Sequence, residues 1–501
     1  MSQEKSNEDT HNRSTAATVA PPPPPPQPPP PVPLTWPTKT DPANPRNFSP
    51  ARKSFSITAV TLLAFVTTFA ATIYSPASSQ VQHNFDLSDE AAVLPLSLYN
   101  LGLAFGPLIG SPLSETCGRR SVLLVTTPLF ALFILGAGLA RNFATLVICR
   151  FLAGVFAAPA VGNASATLTD YAASPDRGVP FAFYYSVPTL GAYVGPLVGG
   201  FVVRGRGWRW TQWTTIFFLV ATYVPVLFIK ESYSKTILAR RAKELGIEER
   251  LPPGGKRSWA GNVRYFAVTL LFRPVHMLVT EPIVTLVCLY NGFLFGLIYT
   301  FVIASPWVYE HYYHFTPTGQ TLSFLGLITG TALAPIPLIL IDRYVYQPRR
   351  RRFQAEHDGD EEIQFPPENR LTPAIIGALT LPTSLFAFAW TARPTIPWII
   401  PLIFQASTAL SSLLIYASAN LFMMDAYGPL YGASAAGAAM LARYLLSTVF
   451  PLFSLQLYKA LGVGWATSLL GFCTVGMAPI PFLFGWWGKG LRGRSRYESS
   501  A

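Results

Sequence analysis

The dominant pattern along this 501-residue chain is a series of long apolar runs separated by short polar stretches. Each run has close to the 20 residues that an α-helix needs to cross about 30 Å of hydrocarbon. The pattern therefore predicts an all-α membrane protein with twelve transmembrane helices. The runs cover residues 55–75, 91–110, 122–139, 143–168, 179–203, 211–229, 283–303, 320–341, 374–390, 397–421, 434–457 and 465–487.

A basic segment separates the first six runs from the last six, which predicts two six-helix bundles, as in two-bundle transporters. Within that segment, residues 237–251 predict a charged surface helix that ends before Pro252. This organisation predicts five segments for the whole chain. They are a cytoplasmic proline-rich tail 1–53, an N-terminal bundle 54–229, a cytoplasmic central loop 230–281, a C-terminal bundle 282–487 and a cytoplasmic tail 488–501.

The positive charges are distributed unequally between the two sides of the predicted membrane. If both termini are cytoplasmic, the inner segments hold 29 of the 37 Lys and Arg residues, and the outer loops hold six. Loops on the cytoplasmic side of membrane proteins carry an excess of Lys and Arg. We therefore expect a multi-pass protein of a cell membrane with both termini in the cytoplasm, while the choice between plasma membrane and vacuole stays open.

Composition excludes several classes of protein. Half of the residues are hydrophobic, 12% are charged, and the mean hydropathy is +0.33, which argues against a soluble multidomain protein. The net charge of +12 comes from loops beside the apolar runs, so no nucleic-acid partner is indicated. The four cysteines lie far apart, and His311 and His314 alone are too few for a metal site. No metal and no cofactor are predicted.

The N-terminal tail contains a proline tract, because eleven of the thirteen residues from Pro21 to Pro33 are proline. Such a tract favours polyproline II or disorder. It is either a ligand for an SH3 or WW domain or a solvated tail, and the sequence leaves both open.

A short charged stretch, Ser111–Arg120, lies between the second and third runs. Gly118 permits a tight reversal of the chain. Arg119 and Arg120 form a positive pair of the kind that stays on the cytoplasmic side. One interpretation is a membrane-surface loop whose charges only orient the helices.

This stretch reads Ser-Pro-Leu-Ser-Glu-x-x-Gly-Arg-Arg and resembles the loop between helices 2 and 3 of the major facilitator superfamily. The form is that of fungal members of its twelve-spanner drug/proton antiporter branch. The resemblance implies the major facilitator fold and a gating latch made by Glu115, Gly118, Arg119 and Arg120. The segment Glu231–Lys243 resembles the sequence after the sixth helix of the same antiporters.

Two arginines lie inside apolar runs, where a buried cation costs about 2.5 to 3.5 kcal/mol on insertion scales. Arg150 and Gly154 resemble the Arg-x-x-x-Gly motif of the superfamily's fourth helix, which implies a role in proton transfer. The alternative is an arginine that extends to the membrane interface. The candidates for a proton or charge relay are Arg150, Asp170 and Arg443. No Asp, Glu or His lies clearly in the middle of a run, so the proton-coupling residue is not identified.

The fifth run contains Gly-x-x-x-Gly-Pro-x-x-Gly-Gly. Small residues let another helix approach closely, and proline removes a backbone hydrogen bond. Helix packing alone would explain this pattern. It also resembles the superfamily's antiporter signature, which implies export. The residues are Gly191, Gly195, Pro196, Gly199 and Gly200.

A substrate cavity needs polar groups from several helices near the middle of the membrane. The tenth run carries a polar stripe at three- and four-residue spacing, and three other runs offer side chains that could join it. Each residue alone could instead pair with a neighbouring helix. Aromatic residues, 14% of the chain, would suit a flat apolar or cationic molecule. The candidates are Asn100, Asn163, Tyr290, Asn291, Gln405, Thr408, Ser412 and Tyr416.

The sequence thus predicts a monomeric secondary transporter that exports a small organic compound, such as a drug, toxin or secondary metabolite, in exchange for protons. The alternative within transporters is a polyamine or other nutrient carrier. A membrane enzyme would need acids, histidines or a metal pair at one membrane face, and none is visible, so no enzymatic activity is predicted. A scaffold recruited through the proline tail would not need the glycine pattern of the fifth run. The substrate is left open.

Overall fold

In a computed structural model of the protein, the long elements are all α-helices among the described residues, which are 36, 38, 40–172, 176–244, 272–357, 365–493, 495 and 497. The first six long helices are α1 (Pro50–Thr72), α2 (Asp89–Cys117), α3 (Arg119–Gly138), α4 (Phe143–Tyr171), α5 (Gly178–Arg206) and α6 (Arg209–Phe228). The other six are α7 (Pro282–Tyr313), α8 (Phe324–Leu333, continued by Pro335–Ile341), α9 (Thr372–Thr391), α10 (Ile399–Gly428), α11 (431–461) and α12 (463–492).

Shorter helical elements connect the long helices. They are Pro45–Asn47, Ser75–Ala77, Ser78–Phe85, Ser234–Glu244, Arg273–Thr280, Pro317–Leu322, Asp342–Tyr346, Gln347–Glu356 and Pro367–Leu371. The helix Ser234–Glu244 overlaps the start of the surface helix predicted at 237–251. The rest of that prediction, the proline tract and most of the central loop lie outside the described residues.

A helix occupies each of the twelve positions predicted for a transmembrane helix. Ten stretches of the described residues are long and apolar enough to cross a membrane. One of them, Tyr431–Arg492, holds both α11 and α12, and α2 is not among the ten. The backbone at Gly428 (φ 57°) and Gly462 (φ 71°) interrupts an otherwise continuous helical stretch and thereby separates α10, α11 and α12. The prediction of an all-α membrane protein is confirmed.

Two six-helix halves meet along two pairs of helices. α2 of the first half packs on α11 of the second, and α5 packs on α8. Within the first half, α1 packs on α5, and α4 packs on α2 and α3. Large apolar side chains are exposed on the outer surface, for example Val125 (61%), Phe217 (63%) and Ile403 (58%). Lipid would cover these side chains, because a soluble monomer rarely exposes so much contiguous apolar surface. The domain boundaries stay predictions.

One end of the helices, which we call the basic face, carries the junction at Gly118, the start of α5, the helix Ser234–Glu244 and the start of α9. The segment before α1 also lies there, where Arg241 Nη1 contacts Asp41 Oδ2 at 2.6 Å. The backbone N–H of Ala43, and then the Arg241 guanidinium, hold the pKa of Asp41 below its usual value. The other end is called the opposite face.

Candidate functional site

A cavity lies between the two halves, about midway along the helices. It is lined from α1, α4 and α5 on one side and from α7, α10 and α11 on the other. Tyr185 of α5 and Tyr416 of α10 meet edge to face across it, with ring centroids 4.8 Å apart. The aromatic lining residues are Tyr184, Tyr185, Phe295, Tyr299, Tyr416 and Tyr444. Such walls suit a flat organic molecule.

Arg443 of α11 lines this cavity and is 5% exposed. Its guanidinium carbon lies 4.5 Å from the ring centroids of both Phe295 and Tyr444. Its Nη1 donates a hydrogen bond to the hydroxyl of Tyr416. Cation–π contacts with aromatic faces stabilise a guanidinium that has left water. The cation is thus held inside the cavity and does not extend to the membrane interface.

Arg150 of α4 is fully buried but lies inside the first half. Its Nη1 and Nη2 donate to the carbonyl oxygens of Ala70 (2.7 Å) and Ala71 (2.9 Å), and its Nε donates to that of Pro95 (3.2 Å). Ala70 and Ala71 belong to the last turn of α1, whose carbonyl oxygens lack intrahelical donors. The guanidinium therefore caps α1, where the helix dipole favours a cation. The alternative of an interfacial arginine is wrong.

At the basic face, α2 and α3 are joined at a single residue. Gly118 has φ 91°, a conformation that favours glycine, and a side chain there would overlap the carboxylate of Glu231. Glu231 accepts the first backbone N–H groups of α3, from Arg119 (2.9 Å) and Arg120 (3.1 Å). Most of the stretch predicted as a loop is helical, because the exposed side chains of the last turn of α2 extend into solvent without breaking its backbone hydrogen bonds.

The carboxylates that contact this junction are not that of Glu115, the acid expected from the sequence. Glu115 is exposed, and none of the ion pairs among the described residues includes it. Arg119 Nε instead contacts Asp170 Oδ2 at 3.5 Å, and Ser232 donates to the same oxygen at 3.0 Å. In this conformation Asp170 and Glu231 take the place that sequence reasoning assigned to Glu115.

The second half repeats this arrangement. Arg370, just before α9, contacts Asp425 Oδ2 at 3.1 Å, as Arg119, the first residue of α3, contacts Asp170. Arg370 also contacts Asp342 Oδ1 at 3.3 Å and stacks on a tyrosine ring. Arg177, at the start of α5, contacts Asp425 Oδ1 at 3.5 Å and so joins the two halves. Ion pairs within and between the halves close the basic face.

Contacts between the halves also close the opposite face. Gln456 of α11 donates to Glu90 of α2 at 2.7 Å, and Lys459 contacts Asp89 at 3.2 Å. Gly200 of α5 lies against the segment before α8, where a side chain at this position would overlap a threonine. Because both ends are closed around the central cavity, the conformation is occluded.

Comparison with known families and solved structures identifies the family to which this fold belongs. Residues 60–451 match the model of the family described as Major Facilitator Superfamily. The chain belongs to the Major Facilitator Superfamily. A solved structure of the proton:xylose symporter XylE superimposes with a TM-score of 0.62 at 18% sequence identity, over 88% of this chain and 96% of that one. The predicted fold is confirmed, and the chain is a multi-pass membrane transporter, not an enzyme.

Similar relatives include fungal members of the superfamily. The MFS-type transporter traF of Penicillium crustosum is 38% identical over 93% of each chain. Efflux pump FUBT of Fusarium oxysporum is 33% identical over 88% of this chain and 73% of its own. Polyamine transporter 4 of Saccharomyces cerevisiae is 30% identical over 93% of this chain and 73% of its own. The superfamily member described here is thus related to fungal efflux pumps and metabolite transporters.

The glycine stripe of α5 packs mainly inside the first half of the transporter. A side chain at Gly191, Gly195 or Gly199 would come within 2.5 Å of atoms of α1 or of Ile73, which directly follows α1. Gly200, on another side of the helix, contacts the second half. The close approach expected at the stripe is present, and its partner is α1. The antiporter role stays a prediction.

The residues predicted to line the substrate cavity of this superfamily member lie in several different places. Of the eight, Tyr416 is in the described lining of the cavity. Asn100 accepts a hydrogen bond from the lining residue Tyr299 at 2.9 Å and donates to the carbonyl of Ser447 in the other half. Asn163 lies at the basic face, where it donates to the carbonyl of Arg119.

The remaining candidates are buried in the second half, outside the described cavity lining. Gln405 donates to Ser305, and Thr408 donates to a carbonyl of its own helix. Ser412 is 6% exposed. The polar side-chain atoms of Tyr290 and Asn291 lack a hydrogen-bond partner among the described residues. The substrate role of these five residues stays a prediction.

Apart from Tyr416, the aromatic wall residues were missed as site residues. Mid-span tyrosines such as Tyr184, Tyr185 and Tyr444 were the available signal, since aromatic rings with hydroxyls are uncommon so deep in lipid-facing surfaces. Within the described residues, no group of three or more His, Cys, Asp or Glu side chains could hold a metal. His311 stacks on Trp307 with ring centroids 4.9 Å apart. The relay assignment of Arg150, Asp170 and Arg443 stays a prediction.

Proposed function

We propose that this transporter exports a small organic compound from a fungal cell in exchange for protons. The observation that carries the proposal is the aromatic cavity, which lies between two halves and is closed at both ends by contacts between them. A carrier that alternates access needs such a cavity and two sets of contacts that can separate in turn. The 33% identity to an efflux pump and the resemblance of the α5 glycines to the antiporter signature support export.

The experiment that tests export uses fungal cells preloaded with fluorescent organic compounds of different charge. Cells that make the protein should retain less of at least one compound than cells with an empty vector, and a protonophore should abolish the difference. Equal membrane abundance before and after the protonophore is the control. If the protein instead raises uptake, the exporter assignment is wrong.

The alternative, a polyamine or other nutrient carrier, is supported by the 30% identity to Polyamine transporter 4. A polyamine is a polycation, and sites for such ligands need carboxylates. The described lining of the cavity contains Arg443 and no Asp or Glu. Arg443 would repel a polycation strongly in a site with little water. This lining therefore favours the proposed export of another organic compound over polyamine transport.

We propose that the basic face is cytoplasmic, with both termini on that side. The 29 to 6 division of Lys and Arg supports this orientation. In a variant without native cysteines, single cysteines would be introduced at Ser88, just before α2, and at Gly254, in the central loop. An impermeant maleimide added to intact cells should label the first and not the second. Labelling of both positions, or of Gly254 alone, would contradict the orientation.

We propose further that the two ion-pair clusters of the basic face form the inner gate. Opening this face must separate Arg177 from Asp425 and the start of α5 from Asp342, while the pairs of Arg119 and Arg370 stay within their own halves. The side chains of Arg177 and Asp425 are 15% and 9% exposed, and opening the face returns both charges to water, which offsets the attraction that is lost. Replacement of Arg370, which contacts both Asp342 and Asp425, tests the cluster of the second half.

A further inference from the structure

Arg443 is a buried cation in the cavity lining, and one of its hydrogen-bond donors has no acceptor among the described residues. Its Nε is inaccessible to solvent and has no hydrogen-bond partner among the described residues. None of the ion pairs in that part of the chain includes Arg443. The bonded partner of its guanidinium is the neutral hydroxyl of Tyr416.

The other two deeply buried arginines are satisfied differently. Arg150 uses all three of its nitrogen atoms on backbone carbonyls. Arg370 contacts the carboxylates of Asp342 and Asp425. Neither of these arginines has an unpartnered nitrogen in the described part of the chain. Arg443 therefore differs from both. In the described part of the chain, its charge has no carboxylate partner and its Nε has no hydrogen-bond acceptor, and it lies in a cavity between the two halves.

The surroundings of Arg443 define the chemistry that would satisfy it. A guanidinium is a planar fork of N–H donors that matches the oxygens of a carboxylate or of an acidic phenol or enol. The rings of Phe295, Tyr444 and Tyr416 surround its carbon within 5.5 Å, so they offer stacking surfaces directly beside the charge. A ligand with an acidic group on a flat unsaturated body would meet both features at once.

We propose that the substrate is an aromatic or polyunsaturated organic anion whose acidic group binds Arg443 while its flat body packs against the ring cluster of Tyr185, Phe295 and Tyr416. The proposal rests on the export function proposed above and names its substrate class. It revises the expectation of an apolar or cationic molecule, which was based on aromatic content alone. A cation would bring a second positive charge next to an arginine that no carboxylate neutralises.

The test uses purified protein in proteoliposomes and two xanthene dyes of similar size, the anion fluorescein and the cation rhodamine 123. We expect the wild type to transport fluorescein at least tenfold faster than rhodamine 123. Arg443→Gln should lower fluorescein transport at least tenfold, and Arg443→Lys, which keeps the charge and loses the fork, should lower it less. The matched control is Arg393→Gln, which removes an exposed arginine and should leave both rates unchanged.

A binding measurement keeps the proposal testable if the glutamine variant folds poorly. Fluorescein, and salicylate as a smaller aromatic acid, should raise the melting temperature of the wild type in detergent, and rhodamine 123 should not. If Arg443→Gln transports fluorescein at the wild-type rate, or if the wild type prefers rhodamine 123, the anion assignment is wrong and export stands. If the wild type transports neither dye and the preloaded cells retain every compound, both the anion assignment and export are wrong.

Discussion

Replacing Arg150 with methionine is expected to lower the melting temperature of the detergent-purified protein by roughly 5 to 10 °C and to reduce its abundance in the membrane. The guanidinium makes three hydrogen bonds to backbone carbonyls and lies 4.5 Å from the ring centroid of Tyr99. Hydrogen bonds to a charged group contribute about 1.5 to 3 kcal/mol each. Removing the buried cation recovers only about 2.5 to 3.5 kcal/mol of its burial cost.

The difference leaves a net loss of about 1 to 6 kcal/mol, because the carbonyl oxygens of Ala70, Ala71 and Pro95 would stay buried without their donors. The matched control is Arg141→Met, which removes an exposed arginine at the nearby end of α3 and should change the melting temperature little. Arg150→Lys should fall between the two, since an ammonium keeps the charge but cannot reach all three carbonyls at once. A methionine variant as stable as the wild type would show that the cap on α1 contributes nothing.

Replacing Arg370 with glutamine is the second change from which we expect a large effect. The side chain is 4% exposed and contacts two carboxylates of its own half, those of Asp342 and Asp425. Breaking a buried ion pair by removing one partner costs about 3 to 5 kcal/mol, because the other charge stays buried without compensation. We therefore expect a clear loss of thermal stability, together with at least a tenfold loss of transport, measured in the dye assay.

A double variant separates the contribution of the ion pair to stability from the general effect of a smaller side chain. Arg370→Gln combined with Asp342→Asn should recover part of the lost stability, since the amide pair carries no unpaired charge at that contact. Arg343→Gln removes an exposed arginine beside the same cluster and is the control, with little change expected. If the two single effects simply add in the double variant, or if the double variant is even less stable than their sum, the pair is not what holds the basic face together.

Sequence reasoning was strongest where the controlling interaction is local. Each membrane-spanning helix must bury an apolar run of about 20 residues in lipid, and this requirement can be evaluated in a short window without knowing any neighbour. The positions of the twelve helices and the overall fold followed from that, while α2 and α7 extend beyond the predicted runs. The match of residues 60–451 to the Major Facilitator Superfamily agrees with the resemblance seen at Ser111–Arg120. The close packing expected from the glycines of α5 was likewise present, because absent side chains permit contact whatever the partner is.

The candidate site was harder to predict because its members come together from distant parts of the chain. Glu231 follows α6 and yet accepts the first N–H groups of α3, so nothing next to Gly118 revealed it. Glu115 was a plausible partner by proximity in sequence, but its position on the last turns of α2 faces solvent. The polar stripe of α10 contributed one described lining residue, Tyr416, because helical spacing shows which residues share a face and not what that face meets.

By itself, the sequence determined the membrane class, the twelve helical positions and the closeness of α5 to a neighbour, since these depend on the hydrophobicity and size of residues near each other in the chain. Only the tertiary structure decided that Arg150 caps α1 while Arg443 lies in an aromatic cavity, although both are arginines within apolar runs. The physical reason is that a buried charge is defined by the groups that surround it. For Arg443 these groups come from α7, α10 and α11, which meet only when the helices pack.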